Sequence, residues 1–145
     1  MNKIRPWLYI GKYSDTKNLT SLQNHTITAM LQLAAPVPQP NITHLYLPVE
    51  DGEPLPHIYL QQGLDFIRQQ RAHNQRLLIA CGAGVSRAAT FTIAALVDQE
   101  QLPLLDAYHL IKQHRPIIMP HPALWTSLCQ YYQQEIPFQQ LFNKR

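Results

Sequence analysis

The sequence predicts a single α/β domain with a central, mostly parallel sheet and helices on both faces. Short apolar segments typical of strands alternate with longer segments whose apolar residues recur every three or four positions, as in amphipathic helices. A length of 145 residues with 46% hydrophobic and 14% charged residues suits one hydrophobic core and argues against a disordered chain. We therefore expect residues 1–145 to form one domain.

Three strands are predicted before residue 50. Residues 7–10 (WLYI) and 27–33 (ITAMLQL) are the first two candidates. The prolines within residues 34–41 (AAPVPQPN) prevent the second strand from continuing, because proline has no N–H to donate to a neighbouring strand. Residues 42–47 (ITHLYL) form the third candidate, which is closed by Pro48.

A helix followed by a buried strand is predicted next. From Pro56 to residues 73–74 the apolar side chains recur at helical spacing, which indicates an amphipathic helix. These side chains are Leu60, Leu64 and Ile67. Residues 76–80 (RLLIA) are apolar after the first position and predict a strand that is buried on both faces.

The remainder of the chain predicts three helices. Residues 87–101 are apolar on most sides of the helix they would form, so this helix should lie at the centre of the domain. The next helix has Pro103 near its start and stops before Arg115, and the last begins at Pro122. Together with the strands, these helices complete the expected α/β pattern.

Charge and cysteine content restrict the possible functions. The formal net charge of +3 is too small, and the basic residues are too scattered, to indicate nucleic acid binding. No apolar run is long enough for a membrane helix or a signal peptide, so we expect a cytoplasmic protein that does not bind membranes. Two cysteines are too few for a disulfide scaffold or a four-cysteine zinc site. We expect a monomer that needs no metal or other cofactor.

The most informative segment is residues 76–90, RLLIACGAGVSRAAT. A buried strand leads to Cys81, a loop with two glycines follows, and Arg87 begins an apolar helix. In open α/β sheets, ligands bind beyond the carboxyl ends of the strands, where the following helix presents free N–H groups and the positive end of its dipole. The segment therefore predicts a site for a tetrahedral oxyanion beside a cysteine.

Each part of this segment has a chemical use in such a site. The loop amides can form a concave anion nest, and the Arg87 guanidinium can bind two phosphate oxygens at once. The positive field should favour the thiolate form of Cys81, which is the nucleophilic form. The predicted phosphate-binding residues are Gly82, Ala83, Gly84, Val85, Ser86 and Arg87.

The segment resembles the signature of cysteine-dependent protein phosphatases of the small dual-specificity type, His-Cys-x-x-Gly-x-x-Arg followed by Ser or Thr. Cys81, Gly84 and Arg87 match that signature. Three further segments are similar to the family: RPWLYIGKYSD to its opening strand, LYLPVEDGEP to its general-acid segment and AYHLIKQHRPIIMPHPALWTSL to its closing helices. The resemblance implies a protein-tyrosine-phosphatase-like fold, with Cys81 as nucleophile and Arg87 as phosphate ligand.

The family's general acid is an Asp on a loop before the cysteine, and the resemblance assigns this role to Asp51. A departing alkoxide or phenolate must be protonated as it leaves, which an acid at this place can do. Two neighbours, Glu50 and Glu53, are rival candidates, and Asp51 could instead be a turn residue before Gly52.

Two positions depart from the family signature. Ala80 replaces the histidine before the cysteine, and Ala88 replaces the hydroxyl residue after the arginine. In the family, that histidine helps order the loop and hold the thiolate, and the hydroxyl donates to the sulfur as it leaves the phosphocysteine intermediate. Three functions therefore remain open: an active phosphatase, a module that binds phosphorylated partners with little turnover, and a sulfur-transfer or redox protein.

Other reactive residue types receive structural interpretations. Cys129 is predicted to be a small core residue, with a disulfide to Cys81 as the alternative. Arg115 is predicted to cap carbonyl groups at a helix end rather than to contact substrate. The seven histidines show no spacing typical of metal ligands, so we expect them to be structural or exposed. They are His25, His44, His57, His73, His109, His114 and His121.

The substrate class is predicted from the residues between Cys81 and Arg87, which are all uncharged. Related phosphatases that act on inositol lipids place basic residues there to meet additional phosphates. We therefore expect a phosphorylated protein or peptide as the substrate. Phosphotyrosine is the favoured residue, because an aryl oxide leaves more easily than an alkoxide, and phosphoserine and phosphothreonine are the further candidates.

Overall fold

The computed structural model describes residues 1–143 of the chain, and its centre is one five-stranded sheet. The strands are β1 (Asn2–Arg5), β2 (Leu8–Lys12), β3 (Ala29–Gln32), β4 (Thr43–Tyr46) and β5 (Leu77–Cys81). Their order across the sheet is β1-β2-β5-β3-β4, with β1 antiparallel to β2 and every other neighbouring pair parallel. The predicted mostly parallel α/β sheet is confirmed, and β5 is its central strand.

Six α-helices surround the sheet in the described part of the chain. They are α1 (Tyr13–Thr16), α2 (Leu19–Asn24), α3 (His57–Ala72), α4 (Arg87–Glu100), α5 (Leu104–His114) and α6 (Pro122–Tyr131), and a 3-10 helix follows at Phe138–Phe142. The four helices predicted from periodicity are α3 to α6, and each is present within one or two residues of its expected ends. The predicted strand at residues 27–33 is shorter in the structure, where it spans Ala29–Gln32.

The strands alternate their side chains between two apolar clusters of unequal size. Leu77, Ile79 and Cys81 of β5 face the larger cluster, which α3 to α6 cover, whereas Leu78 and Ala80 face the smaller one. Leu22 of α2 packs into that smaller cluster. Helices therefore lie on both faces as predicted, but four of them share one face.

The sequence patterns do not predict β1, α1 or α2. Strand β1 is an edge strand of four residues in which only Ile4 is buried, so it lacks a readable alternation. It is held by pairing with β2 and by an ion pair between Arg5 and Glu100 at the end of α4, at 2.8 Å. Hydrogen bonds from Arg5 lower the pKa of Glu100 below its usual value. Tertiary contacts therefore determine this edge of the sheet.

Candidate active site

Cys81 is the last residue of the central strand, at the carboxyl end of the sheet. Only 3% of the residue is exposed, and it lines a pocket of about 360 Å³. The Cys81 sulfur accepts a hydrogen bond of 3.3 Å from the backbone N–H of Ala88, in the first turn of α4. The thiol therefore lies between the end of a strand and the beginning of a helix, with a backbone donor on the helix side.

The carbonyl groups of the loop after Cys81 are held on its outer side. The oxygen of Gly82 accepts from the N–H of Tyr13 at 3.1 Å, and that of Val85 accepts from the N–H of Met119 at 2.8 Å. Arg115 donates to the oxygens of Ala83 and Gly84, at 3.2 and 2.8 Å. No backbone carbonyl within residues 1–143 accepts from the N–H groups of residues 83–87. Because the C=O and the N–H of one trans peptide unit point in opposite directions, carbonyls that point away from the pocket leave the N–H groups of the following residues available to an anion in it.

Gly84 makes this loop possible. Its φ of +68° lies in the left-handed region that residues with a side chain rarely adopt. A Cβ atom at this position would lie 2.6 Å from the carbonyl oxygen of Gly11 and 2.6 Å from Arg115 Nη2. The glycine at this place in the signature is therefore required both by backbone conformation and by the close approach of β2.

Arg115 supports the loop rather than the end of its own helix, which corrects the sequence-based prediction. Its guanidinium is buried and donates to the oxygens of Ala83 and Gly84 and to the side-chain oxygen of Asn2 at 2.6 Å. The prediction that Arg115 binds carbonyls is correct, but these carbonyls lie about 30 residues earlier in the chain. Periodicity along one helix carries no information on such a distant partner.

Arg87 begins α4 and is anchored through one of its two terminal nitrogens. Arg87 Nη1 donates to the carbonyl oxygens of Leu33 and Val49, each at 3.0 Å. A Cβ atom at Gly82 would lie 3.3 Å from Arg87 Nη2, so this second nitrogen lies beside the loop. The guanidinium is therefore oriented by two carbonyls while its other side remains available for an oxyanion.

Asp51 lies between β4 and α3 and lines the same pocket as Cys81 and Arg87. Its Oδ1 atom accepts a hydrogen bond of 2.7 Å from the Ser86 hydroxyl. Neither Glu50 nor Glu53 lines this pocket, and Glu50 faces a neighbouring cavity instead. Of the three acidic residues in this segment, Asp51 is therefore the one that the fold brings to the cysteine.

The pocket also contains residues that sequence reasoning missed as part of a site. Met119, His121 and Pro122 line it from the segment that leads into α6. The His121 side chain begins that helix, because its Nδ1 atom accepts from the N–H of Ala123 at 3.0 Å. The sequence signal for this turn is the Pro-His-Pro run at residues 120–122.

Ala80 and Ala88 lie in different surroundings. Ala80 is buried in the smaller apolar cluster with Tyr9 and Met30, on the face of the sheet opposite to the Cys81 side chain. Ala88 is fully buried in the larger cluster, and its backbone N–H provides the hydrogen bond to the sulfur. The cysteine therefore keeps one donor at position 88 although the side chain there has no hydroxyl.

Cys129 is separate from this pocket. It is buried on α6, and burial raises the pKa of its thiol, which fits a core residue. Both cysteines are free thiols.

Over residues 1–143, no group of three or more His, Cys, Asp and Glu side chains is placed to bind a metal ion. Within the same residues, no helix has both the length and the apolar character needed to span a membrane.

Comparison with known proteins gives one consistent result. The family model described as "dual specificity phosphatase, catalytic domain" matches residues 8–134. Dual specificity protein phosphatase 5 of Rattus norvegicus is 32% identical over 139 residues, which are 93% of this chain and 36% of that protein. The chain therefore spans about a third of the length of this curated relative.

Solved structures show the same similarity. The crystal structure of DUSP15 has a TM-score of 0.83 at 30% identity and covers 89% of this chain and 85% of its own. The human tyrosine phosphatase-like serine/threonine/tyrosine-interacting protein has a TM-score of 0.83 at 25% identity, with 92% and 95% covered. The resemblance inferred from residues 76–90 thus extends over most of the chain.

Proposed function

The chain belongs to the family of dual specificity phosphatase catalytic domains, and we propose that it hydrolyses phosphate monoesters of phosphoproteins through a phosphocysteine intermediate. One observation carries this proposal. The carbonyls of residues 82–85 are held outward, which leaves the loop amides free around a buried cysteine. A loop of this kind binds a tetrahedral dianion and places its phosphorus atom next to a nucleophile.

The first chemical step is attack of the Cys81 thiolate on phosphorus. The S–P bond forms as the P–O bond to the leaving group breaks, and the amides of residues 83–87 and the Arg87 guanidinium stabilise the charge on the three equatorial oxygens. Asp51 supplies the proton that the departing oxygen takes up. The anchoring of Arg87 Nη1 to two carbonyls supports this role, because a fixed guanidinium needs little reorganisation during the reaction.

The second step is hydrolysis of phosphocysteine. Asp51, now a carboxylate, takes a proton from a water molecule whose oxygen forms a new bond to phosphorus, and the S–P bond breaks to return the thiolate. The sulfur is the leaving group in this step only. A donor to the sulfur therefore matters more here than in the first step.

The substrate class that the pocket supports is a phosphorylated protein. Among the described residues that line the pocket, Arg87 is the only Lys or Arg, so these residues offer no second Lys or Arg to a further phosphate. Met119 and Pro122 provide apolar surface at the same pocket, which suits the ring of phosphotyrosine.

Phosphate release from a panel of substrates tests this function. We expect hydrolysis of p-nitrophenyl phosphate and of phosphotyrosine peptides, with slower release from a phosphoinositide and no sulfur transfer from thiosulfate to cyanide. If a phosphoinositide were turned over faster than every phosphopeptide, the substrate class would be wrong. Sulfur transfer without phosphate release would refute the phosphatase assignment itself.

A second candidate function is binding of phosphorylated partners with little turnover. The observation that favours it is Ala88, because the sulfur has a single backbone donor and lacks the hydroxyl that the family uses in the second step. One of the structurally similar proteins, the human tyrosine phosphatase-like serine/threonine/tyrosine-interacting protein, is named as an interacting protein. In the first candidate only the second step is slow, whereas in the second candidate little or no phosphate ester is cleaved even in the first step.

We predict that phosphocysteine accumulates in the wild-type protein because of Ala88. Rapid mixing with an activated aryl phosphate should give a burst of phenol that approaches one equivalent, followed by a slow steady state. Ala88→Ser should raise the steady rate by about 10-fold or more without enlarging the burst, since one preorganised donor is worth up to about 10²- to 10³-fold. Stopped-flow absorbance measures both phases. Linear kinetics from the first turnover would contradict this prediction, and the absence of both burst and steady hydrolysis would favour the binding module.

A further inference from the structure

Two consecutive hydrogen bonds connect α6, the loop after Cys81 and the segment that carries Asp51. The backbone N–H of His121 donates to Ser86 Oγ at 2.9 Å. Ser86 Oγ in turn donates to Asp51 Oδ1 at 2.7 Å. Ser86 is 9% exposed, whereas Asp51 is an exposed residue. The carboxyl group of Asp51 is therefore hydrogen-bonded by a hydroxyl group that is largely buried.

The first of these bonds leaves the hydroxyl proton of Ser86 available for the second. A backbone N–H can only donate, so the N–H of His121 uses a lone pair of Ser86 Oγ and leaves the hydroxyl proton free for Asp51. Oδ1 can accept this proton whether Asp51 is a carboxylate or an acid with its own proton on Oδ2. The contact is therefore compatible with both protonation states that the proposed reaction requires of Asp51.

The segment around Asp51 is attached to the phosphate-binding loop at a second point. Arg87, which follows Ser86 in the chain, donates through Nη1 to the carbonyl oxygen of Val49 at 3.0 Å. Arg87 thus holds the backbone two residues before Asp51, and Ser86 holds its carboxyl group. Two adjacent residues of one loop therefore fix both the backbone and the side chain of the acid relative to the phosphate position.

From this geometry we propose that the Ser86 hydroxyl is the positioning residue for Asp51. The hydroxyl holds Oδ1, so that Oδ2 is the oxygen that delivers the proton to the leaving group and later takes a proton from water. This inference rests on the proposed phosphatase function. The sequence analysis predicts only a phosphate-binding backbone N–H for Ser86, and the inference adds a role for its side chain. The Ser86 hydroxyl is bonded to Asp51 and to the N–H of His121, so it acts through the placement of Asp51, apart from the backbone N–H of Ser86 that the proposed mechanism gives to the phosphate.

A double-mutant cycle tests the positioning role. We compare wild type, Ser86→Ala, Asp51→Asn and the double variant on p-nitrophenyl phosphate, whose leaving group needs no proton, and on phenyl phosphate, whose leaving group does. We measure kcat/KM, which reports the steps up to cleavage of the P–O bond and leaves out the later hydrolysis of phosphocysteine. Asp51→Asn should lower kcat/KM for phenyl phosphate by about 10²- to 10⁴-fold, the usual contribution of a general acid. Ser86→Ala should lower the same kcat/KM by about 10- to 100-fold, because misplacement of a catalytic group costs up to about 10²-fold. For both variants the loss with p-nitrophenyl phosphate should be smaller, because p-nitrophenolate departs without a proton.

The double variant separates a positioning role from a structural one. If Ser86 acts through Asp51, the double variant should be as slow as Asp51→Asn alone, because the positioned group is already absent. Ser86→Thr retains a hydroxyl and should restore most of the loss on phenyl phosphate. A Ser86→Ala loss in kcat/KM that is equal for both substrates, or that persists in full beside Asp51→Asn, would overturn the inference.

The same data distinguish failure of the inference from failure of the proposed function. If Asp51→Asn shows the expected leaving-group dependence and Ser86→Ala is silent, Asp51 remains the acid and Ser86 has no part in placing it. If Asp51→Asn is silent with both substrates and Glu50→Gln is not, the acid is misassigned and the positioning role is refuted with it. If Cys81→Ser retains full activity in the same assay, the phosphatase mechanism itself is wrong.

Discussion

Replacing Cys81 with serine should reduce phosphate monoester hydrolysis to background. The loss should be on the order of 10⁶-fold, the scale found when an enzyme nucleophile is removed. A serine hydroxyl is protonated at neutral pH and needs a neighbouring base to become a nucleophile. In the described part of the chain, the group hydrogen-bonded to Cys81 Sγ is the backbone N–H of Ala88, which is not a base. Phosphate release from p-nitrophenyl phosphate, followed to high enzyme concentration, measures the residual rate.

The oxyanion site should survive this substitution. The loop is held through its carbonyls by Tyr13, Arg115 and Met119, and none of these bonds involves the cysteine side chain. Cys81→Ser should therefore still bind a phosphotyrosine peptide, which it no longer hydrolyses, and calorimetry can measure this binding. Retained hydrolysis would disprove the covalent mechanism, and loss of binding together with a lower melting temperature would show that the substitution disturbs the loop.

Replacing Arg87 with lysine should lose most of both binding and rate. The guanidinium uses Nη1 to bind the carbonyls of Leu33 and Val49 and leaves Nη2 beside Gly82. A lysine ammonium is a single point charge, so it cannot bind two carbonyls and two phosphate oxygens at the same time. We expect kcat/KM to fall by about 10²- to 10³-fold, the cost of one preorganised donor in the transition state.

Steady-state kinetics with a matched control check this prediction. Arg68→Lys is a suitable control, because Arg68 lies on α3 away from the pocket, in a surface ion pair with Asp98. Lysine at position 68 keeps the positive charge that faces Asp98, and Arg68 does not line the pocket, so this control should leave kcat/KM close to the wild-type value. If Arg87→Lys retained the wild-type rate, Arg87 would be no more than the first residue of α4.

Local parts of the site could be predicted from the sequence because they lie within one short segment. Cys81, Gly84 and Arg87 belong to a strand, a loop and a helix that follow one another directly, and in the structure Cys81 and Arg87 line one pocket. The four longer helices were predictable for a similar reason, since their buried side chains recur at the period of the helix itself. Strand β1 and helix α2 have no such repeat, because each has few residues and few buried positions.

The supports of the site were not predictable in this way. Arg115 binds the carbonyl of Gly84, 31 residues earlier, and Ser86 binds Asp51 at a separation of 35 residues. The sequence shows that residue 88 lacks the hydroxyl of the family signature. It does not show that the backbone N–H of Ala88 donates to the Cys81 sulfur. Each contact depends on how the loop, α5 and the segment before α6 pack together, which no local pattern records.

By itself, the sequence determined the α/β class, the strand-loop-helix that carries Cys81 and Arg87, and the family to which the chain belongs. These are consequences of residue spacing over short distances, where backbone geometry leaves few alternatives. Only the tertiary structure decided that Asp51 rather than Glu50 reaches the pocket, and that Ser86 bonds to Asp51 there. The physical reason is that a hydrogen bond between distant segments requires both backbones to be placed within tenths of an ångström, and the packed core alone provides that placement.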